Sequence, residues 1–66
     1  MNTTYTVYIE NTVDKTQREL NIQGDNPMDI HKDVYMKTSR YEEIRSISDS
    51  QGETVYDKSK GFTGRY

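Results

Sequence analysis

One helix start sits in the middle of this chain and divides everything else. Asn26 can accept hydrogen bonds from the free N–H groups of a first helical turn, and Pro27 follows where a missing N–H costs nothing. Asp29 adds negative charge to that turn, while Lys37 and Arg40 add positive charge towards the far end. Both placements suit the helix dipole. The stretch from Asp25 to Arg40, DNPMDIHKDVYMKTSR, is the one long run with a start signal and no interruption. Ile30, Val34 and Tyr41 fall at i, i+4 and i+11, with Met28 and Tyr35 seven apart on an adjoining line. A stripe that narrow covers one face of a sheet but does not sustain a helix alone.

Everything on either side reads as strand and turn. From Thr3 to Glu10 the residues alternate, with Tyr5, Val7 and Ile9 pointing one way and Thr4, Thr6, Tyr8 and Glu10 the other, as in a half-buried strand. Asn11 to Lys15 carries turn formers. Gln17 to Ile22 alternates again, placing Arg18, Leu20 and Ile22 on one face, so the two runs predict a hairpin. Gly24 and Asp25 end the second run. Beyond the helix, Ile44 and Ile47 are three apart, which suits a continuing helix. The hairpin signal that follows favours a strand over Glu43 to Ser48, bulged so that both isoleucines meet the core. Asp49-Ser50-Gln51-Gly52 has Asp at the first position of a turn and Gly at the last. Thr54, Val55 and Tyr56 then favour a last strand over Glu53 to Tyr56.

The expected architecture is therefore α+β: a small antiparallel sheet in the order β-β-α-β-β along the chain, with one helix packed on one face. Residues 1–57 form a single small domain. Residues 58–66, KSKGFTGRY, read as a flexible basic and aromatic C-terminal tail.

With 66 residues, 30% of them hydrophobic, the core is thin. Val7, Ile9, Leu20, Ile22, Ile30, Val34, Ile44, Ile47 and Val55 compose it, with Met and Tyr filling in. Small chains offset such a deficit with disulfides, metals or association. There is no Cys, which removes disulfides and thiolate metal sites. Association with a second copy, or folding on a partner, is what remains. The N-terminus lacks the basic start and apolar run of a signal peptide, and no apolar run approaches a membrane span. A soluble, cytoplasmic protein is the expectation. The formal net charge of −2 gives no global basic field for duplex DNA.

Catalytic signals are sparse. His31 is the only histidine, and Asp29 and Asp33, two residues to either side, point away from it on a helix, so it reads as a solvated helix residue. Glu42 and Glu43 are adjacent and face opposite sides of a strand, so they form no acid–base pair. There is no nucleophile elbow, P-loop or dinucleotide fingerprint. No enzyme, cofactor or metal site is expected. The 11 acidic residues interleave with nine Lys and Arg, as on a mixed solvated surface rather than a row of phosphate mimics.

The aromatic residues say more. Six tyrosines and one phenylalanine are many for so short a chain, and Tyr suits interfaces because it joins a large apolar face to a polar tip. Tyr8, Tyr35 and Tyr56 are the expected contact residues. The reading is a non-enzymatic protein–protein interaction module, a homodimer, that regulates or inhibits a partner protein. In overall style the chain resembles the short, tyrosine-rich, cysteine-free accessory proteins of bacterial viruses and mobile elements. The alternative is a single-stranded nucleic-acid-binding protein that uses Lys58, Lys60, Phe62, Arg65 and Tyr66 for backbone attraction and base stacking. Lys60-Gly61-Phe62 resembles the basic-glycine-aromatic start of an RNA-recognition strand, a likeness that ends at Phe62.

Overall fold

The computed structural model describes residues 3–62. Strands β1 (Thr3–Asn11), β2 (Gln17–Gly24), β3 (Glu42–Ser48), β4 (Thr54–Asp57) and β5 (Gly61–Phe62) form one antiparallel sheet in the order β2-β1-β3-β4-β5. Helix α1 (Pro27–Lys37) lies between β2 and β3 in the chain and packs against both. The α+β class, the covering helix and the first four strands follow the sequence expectation. The fifth strand is a correction, because Lys58 to Phe62 form a turn and a short strand on β4 rather than an unpatterned tail.

The helix begins as its start signal predicts. Asn26 is extended, with φ −156° and ψ 161°, and its Oδ1 accepts the Asp29 N–H at 2.9 Å. Its Nδ2 donates to Asp29 Oδ2 at 3.1 Å, so cap and first turn hold each other. The helix ends earlier than the Ile30, Val34, Tyr41 spacing implies. Thr38 is extended and its hydroxyl donates to the Tyr35 carbonyl at 3.0 Å, replacing the next helical hydrogen bond with a side-chain one. Lys37 is therefore the basic residue of the last turn. Arg40 and Tyr41 fall in the connection to β3, and Tyr41 is exposed.

Alternation divides the sheet into two faces. Tyr5, Val7 and Ile9 of β1, Ile44 and Ile47 of β3 and Val55 of β4 face Ile30 and Val34 of the helix, and all are buried. Leu20, Ile22 and Tyr56 pack against this cluster from its margins and are half-buried. Met28 and Met36 are exposed rather than filling the core. Tight packing extends to Gly24, where a Cβ would lie 2.6 Å from Ile30 Cδ1.

Two bulges fit the apolar spacing to the sheet. Tyr8 pairs with Ser46 and Ile9 with Ile44, which leaves Arg45 as an extra residue in β3. Arg45 and Ser46 both turn to the open face, so Ile44 and Ile47, three apart, both reach the core. In β4, Ile47 pairs with Tyr56 and Ser48 with Thr54, a register shift that lets Val55 and Tyr56 both turn towards the helix side.

Three reversals share one chemistry. Asn11, Asp49 and Asp57 each open a turn by accepting backbone N–H groups on the side-chain oxygen, from Val13 and Asp14, from Gln51 and Glu53, and from Ser59. Each is closed by a residue of positive φ: Lys15 at 65°, Gly52 at 82° and Gly61 at 79°. At Gly52 and Gly61 the left-handed conformation is what glycine supplies without steric cost.

Candidate functional site

The aromatic residues gather where the helix flank meets the β4–β5 end of the sheet. On α1, Met28, His31 and Tyr35 lie at i, i+3 and i+7, one line along the helix. The β4 bulge presents Tyr56 beneath that line. The Asp57 turn then brings β5 back so that Phe62 pairs with Tyr56. In that turn Asp57 Oδ1 accepts the Ser59 N–H at 2.9 Å and its hydroxyl at 2.6 Å, and the Lys60 N–H donates to the Asp57 carbonyl at 3.0 Å.

His31 is at the centre of the group. Its ring lies edge-on to Tyr56 at 4.7 Å and to Phe62 at 5.6 Å, and is near-parallel to Tyr35 at 6.3 Å. Tyr56 and Phe62 are tilted against each other at 4.7 Å. These are the offset and edge-on contacts that aromatic quadrupoles favour. His31 is therefore a half-buried member of a ring cluster, not a solvated helix residue. Partial burial disfavours its charged form and holds its pKa below the usual imidazole value.

Beside the rings is an open cavity of about 270 Å³, lined by His31, Tyr35, Thr38, Glu42, Glu43, Ile44, Tyr56 and Lys58. Its two carboxylates are already engaged. Arg18 holds Glu42 through two bonds, Nε to Oε2 at 2.8 Å and Nη2 to Oε1 at 3.2 Å, and the Ser39 N–H donates to Oε1 at 3.1 Å. Lys58 donates to Glu43 Oε2, and Arg45 reaches Glu43 Oε1 at 3.2 Å. The Arg18 bond is the main reason that Glu42 is held below the ordinary carboxylate range, and the Lys58 bond does the same for Glu43. Among the described residues no cluster of His, Asp and Glu is placed to hold a metal ion. No helix among them is long and apolar enough to cross a membrane.

The expected contact residues are divided by this arrangement. Tyr35, 69% exposed, and Tyr56 belong to the helix-flank cluster. Tyr8, 41% exposed, lies on the opposite, open face of the sheet, beside Ser46 and Glu19 in register. The alternative nucleic-acid set is divided as well. Phe62 joins the ring cluster, Lys58 is bonded to Glu43, and Lys60 lies exposed in the turn. Arg65 and Tyr66 lie outside the described residues.

His31 and Phe62 are the members of the cluster that sequence reasoning left out of the contact surface. The available signal was the second Asp-to-Gly turn, Asp57 to Gly61, which repeats the chemistry of Asp49 to Gly52 and would have returned Phe62 to the sheet. Compared with protein-family models, with curated proteins and with solved structures, the chain finds no match.

Proposed function

We propose that the protein is a non-enzymatic interaction module that regulates or inhibits a partner protein, and that the helix flank is its contact surface. The observation that carries this reading is the contact of exposed Tyr35 with the half-buried ring cluster of His31, Tyr56 and Phe62, with exposed Met28 one turn from His31 along the same helix line. Exposed apolar side chains backed by a rigid aromatic layer have the anatomy of an interface hot spot, since the supporting rings are ordered before contact. The adjoining cavity suits an apolar or aromatic side chain of the partner. Its rim is charge-balanced within this chain, because Glu42 and Glu43 are matched by Arg18, Lys58 and Arg45, so ionic attraction is secondary there.

The same balance weighs against the nucleic-acid reading. Phosphate binding needs free cations, and Lys58 is occupied by Glu43. Base stacking needs a free ring face, and Phe62 packs its ring against Tyr56 and His31.

The test compares the two faces. Immobilised wild-type protein, Y35S and Y8S are exposed to the same bacterial lysate, and retained proteins are quantified. A protein bound by wild type and Y8S but lost with Y35S, at unchanged circular dichroism, supports the helix flank. Retention that follows Y8S, or that is equal for all three, overturns it. Salt-sensitive binding of labelled oligothymidine would restore the nucleic-acid reading.

A further inference from the structure

The two edges of the sheet are finished differently. On one side β5, two residues long among the described ones, pairs with a bulged β4, so that edge is irregular. On the other side β2 is eight residues long, keeps an unbroken register with β1 from Gln17 to Gly24, and among the described residues has no neighbour on its outer side. Within Gln17–Gly24 there is no Pro, no bulge and no Lys, and its two charged residues, Arg18 and Glu19, stand together near one end. A regular edge of that length offers a row of backbone donors and acceptors to another strand.

We propose that this edge pairs antiparallel with β2 of a second copy of the same chain, across a two-fold axis at Asn21. The register follows from pattern. Residues of like face must meet, which confines the axis to a residue position. An axis at Glu19 sets that carboxylate against its own copy, and an axis at Ile22 sets Glu19 against Asp25. Like charges directly opposite are unfavourable, so both are disfavoured. An axis at Leu20 places Arg18 opposite Ile22. An axis at Asn21 places Leu20 opposite Ile22 twice, Glu19 opposite Gln23, and Asn21 opposite itself, with no like charges facing. Leu20 and Ile22 are the two half-buried aliphatics at the margin of the core, and this pairing extends the core across both copies.

The same axis sets Arg18 of the second copy opposite Gly24, where no side chain stands in the way. Gly24 borders an open cleft lined by Gln23, Asp29, Ile30, Lys32, Asp33 and Met36, with one more carboxylate than ammonium. The Arg18 guanidinium is held by Glu42 of its own chain, so it is the aliphatic stem that would lie over Gly24. The contact is isologous, as in most dimers of identical chains. The rings of the helix flank proposed above stand at the other edge of the sheet, on β4 and β5.

Sedimentation equilibrium across a concentration series tests association, and a single cysteine in this Cys-free chain tests register. Wild type is expected to approach twice its monomer mass. Asn21 is exposed, so N21C leaves the core untouched. It should cross-link to itself through a short thiol–thiol reagent well ahead of E19C, while E19C mixed with Q23C should cross-link to each other. N21K, which opposes two ammonium groups at the axis, should weaken dimerisation about fivefold. Y35S should leave it unchanged. A mass that stays monomeric at every concentration overturns the proposal. So does a dimer in which N21C gains no lead over E19C, or one that Y35S abolishes. Loss of partner binding by Y35S with the dimer intact would bear on the helix flank alone.

Discussion

The helix-covered face and the open face of the sheet are made from alternate residues of the same strands, yet they hold the molecule together by different means. The covered face buries Val7, Ile9, Ile47 and Val34 almost completely, and apolar contact does the stabilising there. The open face carries Thr6, Tyr8, Glu10, Ser46 and Arg45, joined by exposed polar contacts. Arg45 bridges Glu10 and Glu43 at 3.2 Å each, and Thr6 Oγ1 bonds Asn21 at 3.0 Å. The ring cluster stands between these regimes, ordered by the covered face and accessible from solvent. The comparison teaches that tyrosines alike in composition have unlike roles: Tyr5 is core, Tyr56 supports the cluster, Tyr35 is exposed on it, and Tyr8 stands apart on a polar surface.

The largest effect should come from the covered face. Ile47→Ala removes a fully buried side chain of β3 and should cost about 2–4 kcal/mol in urea unfolding. Ser46→Ala, its neighbour on the open face, should stay within about 0.5 kcal/mol. Equal costs would show that the two faces do not differ as described.

The caps and turns come next. Asn26→Ala deletes the acceptor of the Asp29 N–H and should cost about 1 kcal/mol, with a matching loss of helical circular dichroism. Gly61→Ala forces a side chain into φ +79° and should cost about 1 kcal/mol. Open space surrounds its Cβ, so the penalty is conformational and not a clash. Because Gly61 delivers Phe62 to the rings, near-ultraviolet dichroism should fall with it. An unchanged near-ultraviolet spectrum would mean the ring cluster does not depend on β5.

Acid sharpens the comparison further. His31 is held below the usual imidazole value by burial, so as the pH falls the unfolded chain takes up that proton first. Stability contributed by His31 is present above about pH 6.5 and declines below it. Glu42, Glu43, Asp57 and Asp14 are held low chiefly by bonds from Arg18, Lys58, Ser59 and Thr16 respectively. Their contribution is present above about pH 4.3 and fades as the pH falls through their folded values. Two separate declines are therefore expected in a melting-temperature profile, and His31→Phe should remove only the upper one. A profile of H31F that matches wild type between pH 7 and 5 would exclude His31 as its source. The smallest change belongs to the open face, where Arg45→Ala breaks two exposed ion pairs and should cost less than about 1 kcal/mol, diminishing in high salt.

Local signals were legible wherever one residue's chemistry acts on its neighbours in the chain. The Asn26 cap, the alternation of Tyr5, Val7 and Ile9, the Asp49 to Gly52 turn and the bulge that brings Ile44 and Ile47 to one core could all be read from spacing. The helix end was not, because the Thr38 hydroxyl bond and the Ser39–Glu42 contacts compete with a helix that the Tyr41 spacing would otherwise continue. Likewise the segment after Asp57 has no apolar periodicity of its own. Gly61 and Phe62 are held as a strand by Tyr56 and the rings above it, and such support comes only from outside the segment.

By itself the amino-acid sequence determined the class of the fold, its single covering helix, most of its core and the residues that reverse the chain, since capping, alternation and turn chemistry are short-range effects. Only the tertiary structure decided which tyrosines share a surface, that His31 and Phe62 join them, and that β2 is left as a long regular edge. Those facts depend on strand order and on which residues a bulge turns to each face, and both are settled by packing between segments far apart in the chain.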